Sequence, residues 1–428
     1  MSSTTRRIGP LLATVLVAGN MIGSGLFLLP ASLASVGSSS VIGWIVATVG
    51  ALTIAGVFAV LGATRADPDG MVNWPARGVH PAAGFVSWLA YWTSSWTGNI
   101  AIALAAVGYL TEFIPGLSGK GMTVAATLVL VWMSVVLCLF GARLVTRLSG
   151  LTLLIGLLPV GAATVLGLAA FDHEVFTQSW NVTGKPLLQT IPASLSIIFW
   201  AFLGLESANA AAAVVDRPER NVPIAALGGV ALAGVVYIAA SVAVMGVIPA
   251  AELARSTAPF AEVVARLAGP WAGHFVALCA ALKAMGTLGG WTLVTGEAGR
   301  SGAAAGYMPR FASETDPAKL PRRGLITAGI LMTIATLATI SPTLNTQFNV
   351  LINVAVVLFM AVYALCSLAL LRDPDQRPGA KLLAAAALAF SLLVIATSGL
   401  KSTWPALALL ALSVPVWWGL KLRKREKI

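Results

Sequence analysis

The 428-residue sequence predicts an all-α integral membrane protein with about twelve transmembrane helices. Three observations carry this. Charged residues make up 10% of the chain against 58% hydrophobic ones, with a mean hydropathy of +0.88. Soluble domains carry about 25% charge, and a soluble core of this size would still need a charged surface. Apolar runs of about 20 residues, enough for a helix to cross hydrocarbon, recur along the whole chain. The basic residues gather between alternate runs.

The runs lie near 10–34, 40–64, 82–111, 121–142, 147–170, 190–214, 222–248, 271–299, 323–341, 345–371, 379–398 and 402–420. Arg6 and Arg7 lead into the first without a small-residue cleavage site, so it reads as a span and not as a removed signal. "APFAEVVARLAG" (258–269) reads as a short interfacial helix before the eighth span, and "SGAAAGYMPRFA" (301–312) as a similar one after it. With the N-terminus inside, 21 of the 27 Lys and Arg residues fall in inside segments. Five fall outside (Lys120, Lys185, Arg255, Arg266 and Lys401), and Lys283 lies within a span. This excess predicts a multi-pass protein of the cell (inner) membrane with both termini cytoplasmic. The net charge of +11 then belongs to loops facing anionic headgroups of the bilayer. No nucleic acid partner is expected.

Several chemistries are excluded. "GLSGKGMT" (116–123) mimics a phosphate loop, but Gly follows Lys120 where Ser or Thr is required, and no strand precedes it. Cys138, Cys279 and Cys366 lie in separate apolar runs without metal spacing and read as packed small hydrophobes. His80, His173 and His274 are far apart. No metal, cofactor or enzymatic activity is expected.

Two spans are interrupted at matching places. The first carries "GNMIGSG" (19–25); the sixth, five spans later, carries "WAFLGLESANA" (200–210). Paired breaks point to an inverted-repeat transporter, with repeats near 10–170 and 190–371 and two extra helices near 379–420. The chain forms one transmembrane domain. Broken backbone must line a protein-enclosed cavity; the alternative is that the glycines let helices pack closely. At the first break the freed N–H groups and the positive end of the next half-helix suit a carboxylate. Ser24 adds a hydroxyl, Met21, Gly23 and Gly25 offer backbone groups, and Asn20 pins the break or reaches the ligand. At the second break carbonyls suit an ammonium. Trp200 can cover the substrate or hold a cation on its ring, and Leu203 joins the substrate-binding set. Glu206 is an ionisable group at mid-membrane, hence a functional-site candidate. Its roles are counter-ion, proton carrier or gate; the plainer reading is a hydrogen bond that holds the break.

In the third span Tyr91, Ser95 and Asn99 recur at i, i+4 and i+8, with Ser94 beside them. This stripe is expected to face the two breaks; the alternative is interhelical Ser/Asn contact. In the eighth span Trp291 can act as a gate or as a packed aromatic, with Thr287 one turn before it. Tyr363 in the tenth can close the cytoplasmic exit with Tyr91 and Glu206.

"GNMIGSGLFLLPASLAS" (19–35), "YWTSSWTGNIA" (91–101), "WAFLGLESA" (200–208), "RPERNVPIA" (217–225) and "GTLGGWTLVTG" (286–296) resemble the amino acid–polyamine–organocation superfamily. Within it they are most similar to the arginine/agmatine antiporter branch and its lysine/cadaverine and ornithine/putrescine relatives. The likeness covers nearly the whole chain. It implies the LeuT-type fold of five-plus-five inverted repeats with helices 1 and 6 broken, and a homodimer. It implies that Met21, Ser24 and Gly25 hold the substrate's carboxylate and amine, and that Asn99 meets its cationic head. Trp200 becomes an outer lid, Trp291 a middle gate, and Tyr91, Glu206 and Tyr363 an inner gate. The chain departs from the arginine/agmatine pattern at Ser94, Ser95, Ile102 and Ala355, around the substrate's head, and at Lys283, where that pattern has a small residue. Lys283 sits about 15 Å below the outer end of its helix. It could pair with Glu206, titrate as a neutral amine or face the outer vestibule.

The expected function is exchange of a cationic amino acid such as arginine for its amine product such as agmatine, by alternating access. The alternative is a proton-coupled or facilitative carrier of neutral amino acids, with Lys283 supplying the fixed charge.

Overall fold

The computed structural model describes residues 9–22, 24–65, 67, 69–206, 216–309, 311–316 and 320–425. Among them every regular element is helical. In chain order these are α1 (Pro10–Met21), α2 (Ser24–Phe27), α3 (Leu29–Leu33), α4 (Ser40–Thr64), α5 (Gly70–Gly78), α6 (Pro81–Leu110), α7 (Lys120–Leu139), α8 (Ala142–Ala169) and α9 (His173–Gln178). Then follow α10 (Leu187–Phe199), α11 (Pro218–Met245), α12 (Ala250–Leu253), α13 (Pro259–Ala268), α14 (Pro270–Ala304), α15 (Arg322–Ala338), α16 (Leu344–Arg372), α17 (Pro378–Thr397) and α18 (Leu400–Arg425).

Eight of the described helices are long and apolar enough to cross a membrane: α4, α7, α8, α11, α14, α16, α17 and α18. Helices also occupy described parts of the other four expected runs, each differing from a long apolar helix for a physical reason. The first is split into α1, α2 and α3. The sixth stops being α-helical after Phe199. The third, α6, is 30 residues long, but its Thr, Ser and Asn residues dilute its hydropathy. The ninth, α15, has 17 residues. Residues 301–312 do not form the expected separate helix: α14 absorbs them to Ala304, and the chain then turns through Gly306 at φ 72°. The short helix at 258–269 is α13, with Phe260, Val263 and Val264 buried. α5 was not expected, because nine residues containing Pro75 carry little helical periodicity.

Helix starts are written locally. Proline occupies the first turn of α1, α6, α11, α13, α14 and α17, where its missing N–H costs nothing. Ahead of α6, His80 accepts from the Ala82 N–H at 3.1 Å. The Thr343 hydroxyl caps α16 by accepting from the Thr346 N–H at 3.2 Å.

Burial orders the bundle. In the most apolar stretch of α16, 78% of residues are buried, and 61% in α14, against 28% in α17 and 22% in α18. α16 and α14 therefore lie inside, both packed on α6. α17 and α18 lie outside, presenting Leu382, Leu392, Trp404 and Leu412. α1 packs on α11, and α8 runs along α14.

Candidate functional site

Both broken segments lie in the interior. α1 ends at Met21; Ile22 leaves the helix at ψ 77°, and α2 begins at Ser24. Gly23 lies outside the described residues, and Asn20, Ser24 and Gly25 are described through their backbone. α10 tightens into a 3-10 turn, Trp200–Phe202, then extends at Leu203, ψ 138°. Gly204 follows at φ 98°, in the left-handed region that a side chain disfavours, so this break depends on glycine.

A broken helix frees carbonyls that hydrocarbon cannot satisfy. Two tyrosines answer this. The Tyr109 hydroxyl donates to the Phe27 carbonyl at 3.0 Å, and the Tyr237 hydroxyl donates to the Ala201 carbonyl at 2.8 Å. Both are fully buried. Sequence reasoning missed them, although the chain has only five tyrosines and isolated ones in apolar runs were a usable signal.

Beyond Gly204 the chain presents Glu206, 8% exposed. The Tyr363 hydroxyl donates to its Oε2 at 2.7 Å. Phe359, one turn before Tyr363 on α16, makes the centre of this cluster: its ring meets Tyr91 at 5.5 Å, Trp291 at 6.1 Å and Tyr363 at 5.8 Å. The Trp291 indole also lies against Gly204. Thus α6, α14 and α16 meet around one phenylalanine, whose partners Trp291 and Tyr363 touch the second break; the sequence did not single it out, because a Phe in an apolar run carries no polar signal. A cavity of about 360 Å³ ends at Tyr91, lined by Asp69, Trp88, Glu297, Arg300 and Ser301 among others. Ser301 donates to Asp69 at 2.9 Å, and Arg300 pairs with Glu297.

The polar stripe of α6 divides. Tyr91 turns to the cluster. Asn99 Nδ2 instead donates to Thr295 Oγ1 of α14 at 3.2 Å, and Ser95 Oγ lies 3.1 Å from the same oxygen. Ser94 and Ser95 also bond back to the Tyr91 and Trp92 carbonyls of their own helix. Asn99 and Ser95 therefore join α6 to α14, where the sequence reading had them facing the breaks. Trp200 covers Gly98 of α6 and meets Phe348 edge-on at 6.4 Å. Met21, Leu203, Ala355 and Ile102 are buried. Among the predicted site residues, three buried polar atoms have no hydrogen-bond partner: Asn99 Oδ1, Trp200 Nε1 and Thr287 Oγ1. Each costs about 1–3 kcal/mol until something bonds it.

Lys283 is 5% exposed. It does not pair with Glu206, the first of the three expected options. No described residue gives it a hydrogen bond or an ion pair. Its stem lies against Gly156 of α8. The three cysteines are free and buried, and the described residues contain no metal-binding cluster.

The family described as "Amino acid permease" matches residues 8–419, nearly the full chain. This chain belongs to the amino acid permease family. Curated relatives agree. The permease is 36% identical over 370 residues to a putrescine transporter of Haemophilus influenzae, covering 86% of this chain and 85% of that protein. A putrescine transporter of Escherichia coli is 36% identical over 366 residues, covering 86% and 83%. A cadaverine/lysine antiporter of Escherichia coli is 34% identical over 366 residues, covering 84% and 82%. The family anticipated from the motifs is the one found, in the basic amino acid and polyamine branch of the superfamily.

Proposed function

We propose that this permease is a secondary active antiporter that exchanges a cationic amino acid for an amine through one alternating-access site. The observation that carries this reading is Glu206. A buried carboxyl on a broken helix, without an ion-pair partner among the described residues, is costly as a carboxylate unless a proton or a cation visits it. A cationic substrate is such a visitor, and the names of the relatives agree with one. Arginine for agmatine is the proposed pair. The first break takes the carboxylate, Asn99 and the second break the amino groups, and Trp200 closes over them. Tyr91, Glu206, Tyr363 and Trp291 form the gate on the side of α5, which the charge bias assigns to the cytoplasm. The proposal includes twelve spans, the LeuT-type repeat, both termini inside and a homodimer.

One observation favours the alternative, a carrier of neutral amino acids: Lys283 places a buried amine in the interior that can supply a fixed positive charge. Counterflow in proteoliposomes separates the two. Vesicles loaded with arginine, agmatine, lysine, ornithine, putrescine or alanine are followed for uptake of each labelled compound, with and without a pH gradient. Uptake that requires a cationic substrate inside supports exchange. Uptake of alanine into empty vesicles, driven by an inward proton gradient, refutes it.

A further inference from the structure

Lys283 is a buried lysine that neither the breaks nor the gate employs. Its surroundings fix it in place. α8 and α14 run antiparallel in close contact: Ser149 donates to the Gly286 carbonyl at 2.8 Å, Thr152 meets Gly286, and Gly156 meets Lys283. A Cβ on Gly156 would collide with the Cβ, Cγ and Cδ of Lys283, so the stem is seated in the groove that this glycine opens. A stem held along its length cannot swing to the membrane surface as long side chains near helix ends do. Neither α6, α7 nor α8 contains an Asp or Glu, Glu262 of α13 pairs with Arg266, and the sole acidic residue of α14, Glu297, pairs with Arg300 near its far end. The charge of Lys283 is therefore uncompensated by its own helix and these neighbours.

We propose that Lys283 is a specificity-determining residue, a fixed cation in the wall of the transport pathway that weakens binding of each further positive charge on the substrate. This rests on the transport reading above. Trp291, which touches the second break, lies eight residues along α14 from Lys283, about 12 Å at 1.5 Å per residue. Two unit charges at that separation and an effective dielectric of about 20 repel by an amount equal to about tenfold in affinity. The permease accordingly prefers a singly charged amino acid to a doubly charged diamine by about tenfold more than the same pocket without Lys283.

The test uses purified full-length protein and three probes: putrescine (two positive charges), lysine (one net) and leucine (none). Dissociation constants are measured for the wild type, Lys283→Met and Lys283→Arg. In Lys283→Met, putrescine is expected to gain about tenfold relative to lysine, and lysine about tenfold relative to leucine. Lys283→Arg is expected to keep the wild-type ratios. Ratios within twofold of wild type in a methionine variant that still binds overturn the proposal and leave the transport reading standing. If none of the probes binds the wild type, both fall. Should the methionine variant not be monodisperse, Lys283→Gln reads the same ratios.

Discussion

Replacing Tyr363 by Phe tests the gate most directly. The ring stays, and with it the edge contacts to Phe58 at 5.4 Å and Phe199 at 6.4 Å. What leaves is one hydroxyl that donates to Glu206 over 2.7 Å in a buried setting. A hydrogen bond to a charged group contributes about 1.5–3 kcal/mol, or about 10- to 150-fold in an equilibrium. If the bond exists only with the gate closed, Tyr363→Phe should raise the open fraction by that factor. Cys366 reports it. The thiol sits three residues from Tyr363, is fully buried and lies against Met71. In a background with Cys138→Ala and Cys279→Ala, its labelling by an impermeant maleimide is measured in inside-out vesicles. Labelling in Tyr363→Phe should be at least tenfold faster than with Tyr363. Equal rates, in a variant that still binds substrate, would refute the view that this bond holds the gate.

Tyr237→Phe should strand the Ala201 carbonyl and Tyr109→Phe the Phe27 carbonyl, each lowering stability by about 1–3 kcal/mol; thermal unfolding in detergent reads the loss, and unchanged melting would remove the tyrosines from the account of the breaks. Because they serve different breaks, the double variant should sum the two losses within about 0.5 kcal/mol. Thr295→Val should cost about 0.6–1.7 kcal/mol of stability through its lost interhelical bonds with KM moved less than about twofold, whereas Asn99→Ala should raise KM for the cationic substrate about tenfold; the reverse pattern would exchange their roles. At the end of α16, burial pushes the Asp373 carboxyl up, but Gln376, the Asp375 N–H and Arg65 outweigh it and hold the carboxyl below its ordinary value. A depressed native pKa gives stability that is present above the unfolded value of about 3.9 and is lost as pH falls through the native one. Asp373→Asn should therefore destabilise across pH 5–8 without altering the slope there, and a slope change within that range would contradict the assignment.

What the sequence made legible was whatever violates the rules of hydrocarbon. Glycine clusters, a mid-span glutamate and a lysine thirteen residues into α14 all stand out against apolar surroundings, and the structure finds both breaks and Glu206 in the interior. What it hid was ordinary chemistry in a decisive position. Phe359 looks like any lipid-facing or packed Phe until aromatic rings from α6 and α14 converge on it beside Tyr363. Thr295 bonds Asn99 because α14 happens to lie along that face of α6, and helical spacing on α6 alone does not tell which neighbour a stripe meets. α5 escaped for a different reason: nine residues with a proline in their midst offer too few turns for a periodicity to show.

The tyrosines divide the work in a way that bears on mechanism. Tyr109 and Tyr237 bond main-chain carbonyls freed by the breaks. Losing either bond leaves a buried acceptor that nothing else nearby is shown to satisfy, so these contacts favour keeping the breaks broken in every state. Tyr363 bonds a carboxylate, which is held more strongly by a cation than by a neutral hydroxyl, so that charge donated by an ammonium lessens what the hydroxyl gains. On the proposed function, a substrate ammonium and the Tyr363 hydroxyl address the same group. Binding of the cation weakens the hold of Tyr363 on Glu206 by competition, and departure of the cation restores it. The coupling needs no relay through the bundle, because the group that senses the charge is also the group that the gate bonds. It also sets a direction: a substrate without an ammonium near Glu206 leaves the Tyr363 bond intact and should bind without opening that side.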